Sequence, residues 1–202
     1  MEKLYTYLAL GDSYTIGEAL PLQKSFPFQV AQMLRKEKVH FAAPEIIAKT
    51  GWTTDELSSA ISEHQFLKHY DFVTLLIGVN NQYRGREIEE YKMQFEELLA
   101  NALHYAHGKQ EHVFVISIPD YSVTAFAQTM DTAKISKEID QYNTVNRALA
   151  AQYKVQYIDI TPGSREAKTD LDLVTSDGLH PSEKEYQKWA EKLTEAIKPL
   201  LK

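Results

Sequence analysis

The stretch Leu8-Ala9-Leu10-Gly11-Asp12-Ser13-Tyr14-Thr15 decides how we expect the chain to fold. An apolar run from Leu4 to Leu10 leads into it, which is the pattern of a short buried strand. Ser13 then stands where this strand ends and where a helix can begin. Ligands bind at that edge of open α/β sheets, and the backbone amides of a following helix N-terminus attract negative charge. Ser13 is therefore a candidate nucleophile.

The rest of the chain alternates between short apolar runs and longer segments with helical periodicity. Further strands are predicted at Glu45–Lys49, Phe72–Ile77, His112–Ile118 and Val155–Asp159. Helices are predicted at residues 25–36, 53–63, 86–107, 136–153 and 182–201. The predicted strands are apolar throughout and rich in β-branched residues, and they alternate with helices. We therefore expect a parallel sheet that is covered by helices on both faces. This α/β architecture uses the whole length, so residues 1–202 are predicted to form a single domain.

The longest irregular segment is Pro119–Ile135, which follows the fourth predicted strand. It carries three large side chains, Tyr121, Phe126 and Met130. Long loops at the carboxyl edge of a sheet are frequently functional. We expect this segment to be either a mobile flap over the site or a partly helical insertion.

The composition is that of an ordinary soluble globular protein. The 202 residues are 44% hydrophobic and 25% charged. A formal net charge of −6 disfavours nucleic acids and anionic membrane surfaces as partners. The absence of cysteine excludes disulfides, thiolate catalysis and zinc–sulfur sites. The longest apolar run, around Phe72 to Val79, is too short to span a bilayer, so we expect no stable membrane anchor.

The first residues, Met1-Glu2-Lys3, lack the pattern of a signal peptide. We therefore expect a cytoplasmic protein, while a leader already removed from this chain is the alternative that stays open. The sequence gives no indication of the oligomeric state.

A carboxylate and an imidazole lie three residues apart in Ser176-Asp177-Gly178-Leu179-His180-Pro181-Ser182. In a turn, this spacing can bring Asp177 to His180 Nδ1 and leave Nε2 free to accept a proton. That is the arrangement of a general base, because the carboxylate fixes the tautomer and stabilises the imidazolium. A histidine that merely lies beside an acid on the surface is the alternative for this pair taken alone.

Two more stretches follow predicted strands and carry groups that can stabilise negative charge. Gly78-Val79-Asn80-Asn81 ends the third strand, and one of its side-chain amides could donate to a developing oxyanion. Thr50-Gly51-Trp52-Thr53 follows the second strand, and its glycine could bring a backbone N–H close to a ligand. Each stretch, taken alone, is equally consistent with an ordinary turn.

The joint placement of these groups indicates that they belong to one functional site. Ser13, Gly51, Asn80 and the pair of Asp177 and His180 all fall at the carboxyl ends of predicted strands or in loops on the same side. A parallel sheet brings such positions together in space.

Four blocks in this order make the chain resemble the GDSL, or SGNH, hydrolase family, which comprises esterases and lipases, including lysophospholipase-like enzymes. The blocks are Gly11-Asp12-Ser13, with Tyr14 where leucine gave the family its name; Gly51; Gly78-Val79-Asn80-Asn81, with Asn81 in place of an aspartate; and Asp177-Gly178-Leu179-His180-Pro181. The Asn81 difference leaves open which bonds replace those of the missing carboxylate.

This resemblance implies a three-layer α/β/α sandwich with a flavodoxin-like sheet of five parallel strands. It also implies that Ser13 is the nucleophile, His180 the base and Asp177 the residue that orients it. The implied oxyanion hole consists of the Ser13 N–H, the Gly51 N–H and the Asn80 side chain. Neither a cofactor nor a metal is implied, and the partner is a small-molecule ester. Three aromatic residues near these blocks are candidates for substrate binding: Tyr14, Trp52 and Tyr121. For Tyr14 and Trp52, ordinary packing is an equally supported alternative.

We therefore expect a serine ester hydrolase of the carboxylesterase or lysophospholipase type that acts through an acyl-enzyme intermediate. A carbohydrate O-acetylesterase of the same family is an alternative. So is a module that binds acyl or glycan ligands without catalysis. A flavodoxin-like nucleotide binder is a more distant alternative, because the chain has neither a Walker loop nor a G-x-G-x-x-G motif. The absence of a G-x-S-x-G elbow argues against the α/β-hydrolase fold.

Overall fold

Five parallel strands form the central sheet of the computed structural model, which describes residues 3–201. The strands are β1 (Tyr7–Asp12), β2 (Glu45–Lys49), β3 (Phe72–Leu76), β4 (Val113–Ile116) and β5 (Gln156–Ile158). Their order across the sheet is β2-β1-β3-β4-β5, with every neighbouring pair parallel. This is the flavodoxin-like order, so the predicted fold class is confirmed.

The three central strands, β1, β3 and β4, are buried along their whole length. Strands buried on both faces read as continuous apolar runs rather than alternating ones, which is why these segments were recognisable from the sequence. The edge strand β2 is only half-buried.

Within residues 3–201, eight α-helices surround the sheet: α1 (Ser13–Ile16), α2 (Phe26–Lys36), α3 (Thr54–Glu63), α4 (Val79–Tyr83), α5 (Ile88–Tyr105), α6 (Thr132–Gln152), α7 (Thr161–Ser164) and α8 (Glu183–Ile197). Helix α2 packs against α8, whereas α5 packs against α3 and α6. The chain moves one way along the sheet from β1 to β2 and the other way from β2 to β5. Because such crossovers are right-handed, α2 lies on the opposite face from α3 and α5. Among the helices of residues 3–201, none has the length and apolar character needed to cross a bilayer.

The boundaries of β1 differ from the predicted strand Leu4–Leu10. The strand starts at Tyr7 and continues through Gly11 and Asp12, because these two residues pair with Ala48 and Lys49 of β2. The short helices α1, α4 and α7 were not predicted as separate elements, since one turn is too short to show helical periodicity. All three directly follow the carboxyl ends of strands or lie within three residues of them.

The segment 119–135 contains two short 3₁₀ turns, at Tyr121–Val123 and Ala125–Ala127. Helix α6 begins at Thr132, four residues before the predicted start at Ser136, because the Asp131 side chain caps it by accepting from the Lys134 N–H at 3.0 Å. The segment is therefore partly helical, which agrees with one of the two predicted forms. The Phe126 N–H donates to the Gly178 carbonyl at 2.9 Å, which ties this segment to the loop that carries His180.

Candidate active site

Ser13 is the first residue of α1, immediately after β1 ends. The Asp12 side chain caps this helix, with Oδ1 accepting from the Tyr14 N–H at 3.0 Å. The helix ends after one turn at Gly17, whose φ of 76° is the left-handed conformation that glycine adopts without strain. A strand, a cap and a single turn thus fix Ser13 at the carboxyl edge of the sheet.

Asp177 and His180 form the pair that the sequence predicts. Asp177 Oδ2 lies 2.6 Å from His180 Nδ1. The other carboxylate oxygen, Oδ1, accepts from the backbone N–H groups of Leu179 at 2.8 Å and His180 at 3.0 Å, and from the Thr175 hydroxyl at 2.7 Å. The carboxylate is therefore held by its own turn while it contacts the imidazole.

Burial alone would raise the pKa of the Asp177 carboxyl, but the hydrogen bonds from His180, Leu179 and Thr175 lower it to about 2. Asp177 is consequently ionised at neutral pH and can only accept hydrogen bonds. Its contact with His180 requires a proton on Nδ1, which leaves Nε2 of the neutral ring as an acceptor.

One pocket of about 160 Å³ brings Ser13, Gly51, Asn80 and His180 together. The Tyr14 ring, next to Ser13 in the chain, lies edge-on to the His180 ring with the centroids 5.7 Å apart. Residues from the two ends of the chain therefore meet, as the sequence predicts. The remaining lining residues are mainly aromatic or aliphatic: Tyr14, Thr50, Val79, Tyr83, Tyr121, Phe126 and Leu179.

Within residues 3–201, neither Ser13 Oγ nor His180 Nε2 makes a hydrogen bond. Both groups line the pocket and are available to a ligand. Contacts between a nucleophile and its base are often long before substrate binds, so this arrangement is compatible with proton transfer between the two.

The loop that carries Gly51 is held by three side chains that follow β3. Asn80 Nδ2 donates to the Trp52 carbonyl at 2.9 Å. Asn81 Oδ1 accepts from the Thr54 N–H at 3.1 Å, and Arg84 Nη2 donates to the Gly51 carbonyl at 2.5 Å. Gly51 has a φ of 83°, a backbone conformation that side chains disfavour. The two predicted oxyanion-hole groups, Gly51 and Asn80, are thereby fixed relative to each other.

Asn81 stands where the family that the sequence resembles has an aspartate, and its side chain bonds to Thr54. The side chain is fully buried, and in addition to accepting from the Thr54 N–H it donates to the Thr54 hydroxyl at 2.7 Å. An amide can do both, whereas an ionised carboxylate can only accept. Asn81 therefore binds the start of α3, and its side-chain hydrogen bonds do not go to Ser13.

Two of the three predicted substrate-binding residues, Tyr14 and Tyr121, line the pocket. Trp52 does not: its side chain is partly buried against the hydrophobic core, and its carbonyl is bound by Asn80. The sequence indicated Phe126 only as part of a segment that could cover the site, and it did not indicate Tyr83 or Leu179 as lining residues. No local pattern marks them, because only the packing of α4 against the segment 119–135 brings Tyr83 and Phe126 together, with ring centroids 6.1 Å apart.

Asp12 is a buried carboxyl whose second oxygen, Oδ2, has no hydrogen-bond partner within residues 3–201. Burial raises its pKa to about 7, against the opposing effect of the Tyr14 N–H. The folded state thus binds this proton more tightly than the unfolded chain, in which the pKa is near 4. The contribution of this bound proton to the free energy of unfolding is present at low pH and is lost as pH rises from about 4 to about 7.

We expect Asp12→Asn to remove this pH dependence, because asparagine keeps the cap on Tyr14 without a titrating group. Wild type should lose roughly 2–4 kcal/mol of unfolding free energy between pH 4.5 and 8 relative to the variant. Urea denaturation at the two pH values measures it, with the exposed Asp172→Asn as the matched control. Equal pH dependence in wild type and Asp12→Asn would show that Asp12 does not titrate in this range.

The sequence model of the GDSL-like Lipase/Acylhydrolase family matches residues 9–188. No curated protein matches the chain by sequence.

Several solved structures are similar to this chain along almost its whole length. One is a lipase/acylhydrolase from Enterococcus faecalis, with a TM-score of 0.75, 18% identity and coverage of 98% of each chain. Another is the acetylxylan esterase Axe2 from Geobacillus stearothermophilus, with a TM-score of 0.74, 18% identity and coverage of 97% of this chain and 95% of that one. A putative GDSL-like lipase from Parabacteroides merdae has a TM-score of 0.76 at 17% identity, covering 98% and 97%. At such identities the similarity shows a shared fold.

Proposed function

Because the chain belongs to the GDSL-like lipase/acylhydrolase family, and is therefore a hydrolase, we propose that it cleaves carboxylic esters through Ser13, His180 and Asp177. The observation that carries the proposal is the pocket that holds both Ser13 and His180, with His180 Nδ1 bound to an ionised Asp177. In this proposal Ser13 is the nucleophile, His180 the general base and Asp177 the residue that orients it.

The reaction proceeds in two halves. His180 Nε2 takes the proton of Ser13 Oγ as that oxygen attacks the ester carbonyl carbon. The tetrahedral intermediate then expels the alcohol, which receives the proton from His180, and an acyl-enzyme on Ser13 remains. Water attacks the acyl carbon in the second half, with His180 again accepting the proton and returning it to Ser13. Each bond that forms or breaks in this reaction belongs to the ester, to water, to Ser13 or to His180.

The oxyanion of each tetrahedral intermediate lies against the backbone N–H groups of Ser13 and Gly51 and the Asn80 amide. One Asn80 N–H is bound to the Trp52 carbonyl, which fixes the orientation of the amide. The other N–H is then free to donate. Each donor of this kind contributes roughly 3–4 kcal/mol of transition-state stabilisation.

We expect Asn80→Ala to lower kcat by roughly 10²–10³ with little change in KM, because the donor acts mainly on the charge that develops in the transition state. Steady-state kinetics on p-nitrophenyl butyrate measure the effect. Asn101→Ala, on α5 and outside the pocket lining, serves as the matched control. A kcat within threefold of wild type would remove Asn80 from the oxyanion hole.

The proposed function is tested by turnover of simple esters by the purified protein. We expect hydrolysis of p-nitrophenyl acetate and butyrate, with release of one p-nitrophenol for each acid formed. Acetylated xylose and lysophosphatidylcholine in the same panel distinguish a carbohydrate O-acetylesterase from a lysophospholipase. Binding of these compounds with no turnover of any of them would support the non-catalytic module instead.

A further inference from the structure

A wall of three side chains separates the pocket from a second, smaller cavity. Tyr14, Tyr121 and Leu179 line both the pocket of about 160 Å³ and a cavity of about 20 Å³ beside it. The second cavity is otherwise lined by residues from the segment after β4 and from the stretch that runs from the last residue of α7 to the first turn of α8. The three shared side chains are therefore the barrier between the two spaces.

Hydrogen bonds and ring packing hold the two aromatic side chains of the wall in place. The Tyr121 hydroxyl donates to Gln82 Oε1 at 2.9 Å, and Gln82 Nε2 donates to Glu138 Oε2 at 2.8 Å. Burial raises the pKa of Tyr121 to about 12, so the phenol keeps this donor proton at neutral pH. The Tyr14 ring is almost fully buried and packs against Trp189 with the centroids 6.3 Å apart. Rings bonded and packed in this way leave a ligand little room to push them aside.

The pocket on the Ser13 side of this wall suits an uncharged, apolar group. None of its lining residues is an aspartate, glutamate, lysine or arginine. Its volume of about 160 Å³ is close to the roughly 150 Å³ of an apolar cavity that holds one benzene molecule. A group of about six carbons, the ester carbonyl among them, therefore fills the enclosed part of the pocket.

We propose that the protein prefers short-chain, uncharged acyl groups of about six carbons or fewer, and that the wall of Tyr14, Tyr121 and Leu179 sets this limit. The inference rests on the proposed function, because it places the acyl group of the ester in the pocket. Leu179 is the member of the wall that is simplest to shorten, since it is only half-buried and its backbone N–H supplies the bond to Asp177. Truncating its side chain opens the barrier and leaves that bond in place.

The experiment measures kcat/KM for p-nitrophenyl esters from acetate to decanoate, below their micelle concentrations. For wild type we expect a rise of about fourfold for each methylene that enters the pocket, ending near hexanoate, with decanoate at least tenfold below the maximum. In Leu179→Ala the ratio of decanoate to butyrate should rise at least tenfold. Leu179→Val, a smaller truncation, should shift the ratio in the same direction by a lesser amount.

Leu171→Ala is the matched control, because Leu171 is 78% exposed and lines neither cavity. Its chain-length profile should equal that of wild type. Equal activity of wild type on decanoate and butyrate would overturn the length limit while leaving the proposed function intact. An unchanged ratio in both Leu179 variants would overturn the role of the wall. Failure of wild type to hydrolyse any ester would instead contradict the proposed function.

Discussion

Ser13→Ala is expected to lower kcat by three orders of magnitude or more while the fold stays intact. The variant lacks the oxygen that forms the acyl-enzyme, so only water attack assisted by the remaining groups is left. The fold should tolerate the change because Ser13 Oγ makes no hydrogen bond within residues 3–201, and its removal leaves no buried partner unsatisfied. Steady-state hydrolysis of p-nitrophenyl butyrate, far-UV circular dichroism and Tm measure the two parts of this expectation.

The control for this experiment is Ser59→Ala, which makes the same chemical change on the exposed surface of α3. It should turn over at the wild-type rate. Turnover of Ser13→Ala within tenfold of wild type would mean that another group attacks the ester. If Ser13→Ala lost both activity and the circular dichroism signal of the folded state, a second variant would be needed to separate the two effects. Ser13→Thr serves this purpose, because it keeps a hydroxyl but places it on a more crowded carbon.

Asp177→Asn is expected to lower kcat by roughly 10³–10⁴. The asparagine carbonyl can still accept from the backbone N–H groups of Leu179 and His180, which hold the turn. Its NH₂ group, however, then faces His180 Nδ1 and needs an acceptor there. The imidazole shifts its proton to Nε2, and the nitrogen that should accept the proton of Ser13 is no longer a base.

Two measurements separate this tautomer effect from a general loss of structure. Steady-state kinetics give the change in kcat, and ¹⁵N NMR of the histidine ring reports which nitrogen carries the proton. Wild type should show a proton on His180 Nδ1, and the variant should show it on Nε2. The exposed Asp172→Asn should change neither reading. A variant that retains the Nδ1 proton and loses less than tenfold in kcat would contradict the role given to Asp177.

The sequence allowed the sheet and the position of each candidate group to be predicted for a definite physical reason. Strands such as β3 are buried on both faces and read as unbroken apolar runs. Parallel topology then requires that residues following each strand gather at one edge, which is why Ser13, Gly51 and Asn80 share a pocket. His180 reaches the same pocket on the loop before α8, which is tied to the segment 119–135 by the bond from the Phe126 N–H to the Gly178 carbonyl.

Features that depend on packing between distant segments could not be predicted from the sequence. The role of Asn81 became evident only when its two bonds to Thr54 were known. The sequence was equally consistent with substrate binding and with ordinary packing for Trp52, because a residue in a loop at the right edge can still turn its side chain to the core, as Trp52 does. Arg84, which binds the Gly51 carbonyl, carried no signal that distinguishes it from a surface arginine. The expected cytoplasmic location stays a prediction.

The central claim is that Ser13 is a nucleophile activated by His180. It is tested most directly by treating the wild-type protein with a fluorophosphonate and mapping the modified peptide by mass spectrometry. We predict one phosphonyl group per chain, attached to Ser13, with labelling abolished in His180→Ala although the serine is still present. Labelling at another residue, or labelling of Ser13 at the same rate in His180→Ala, would contradict this account.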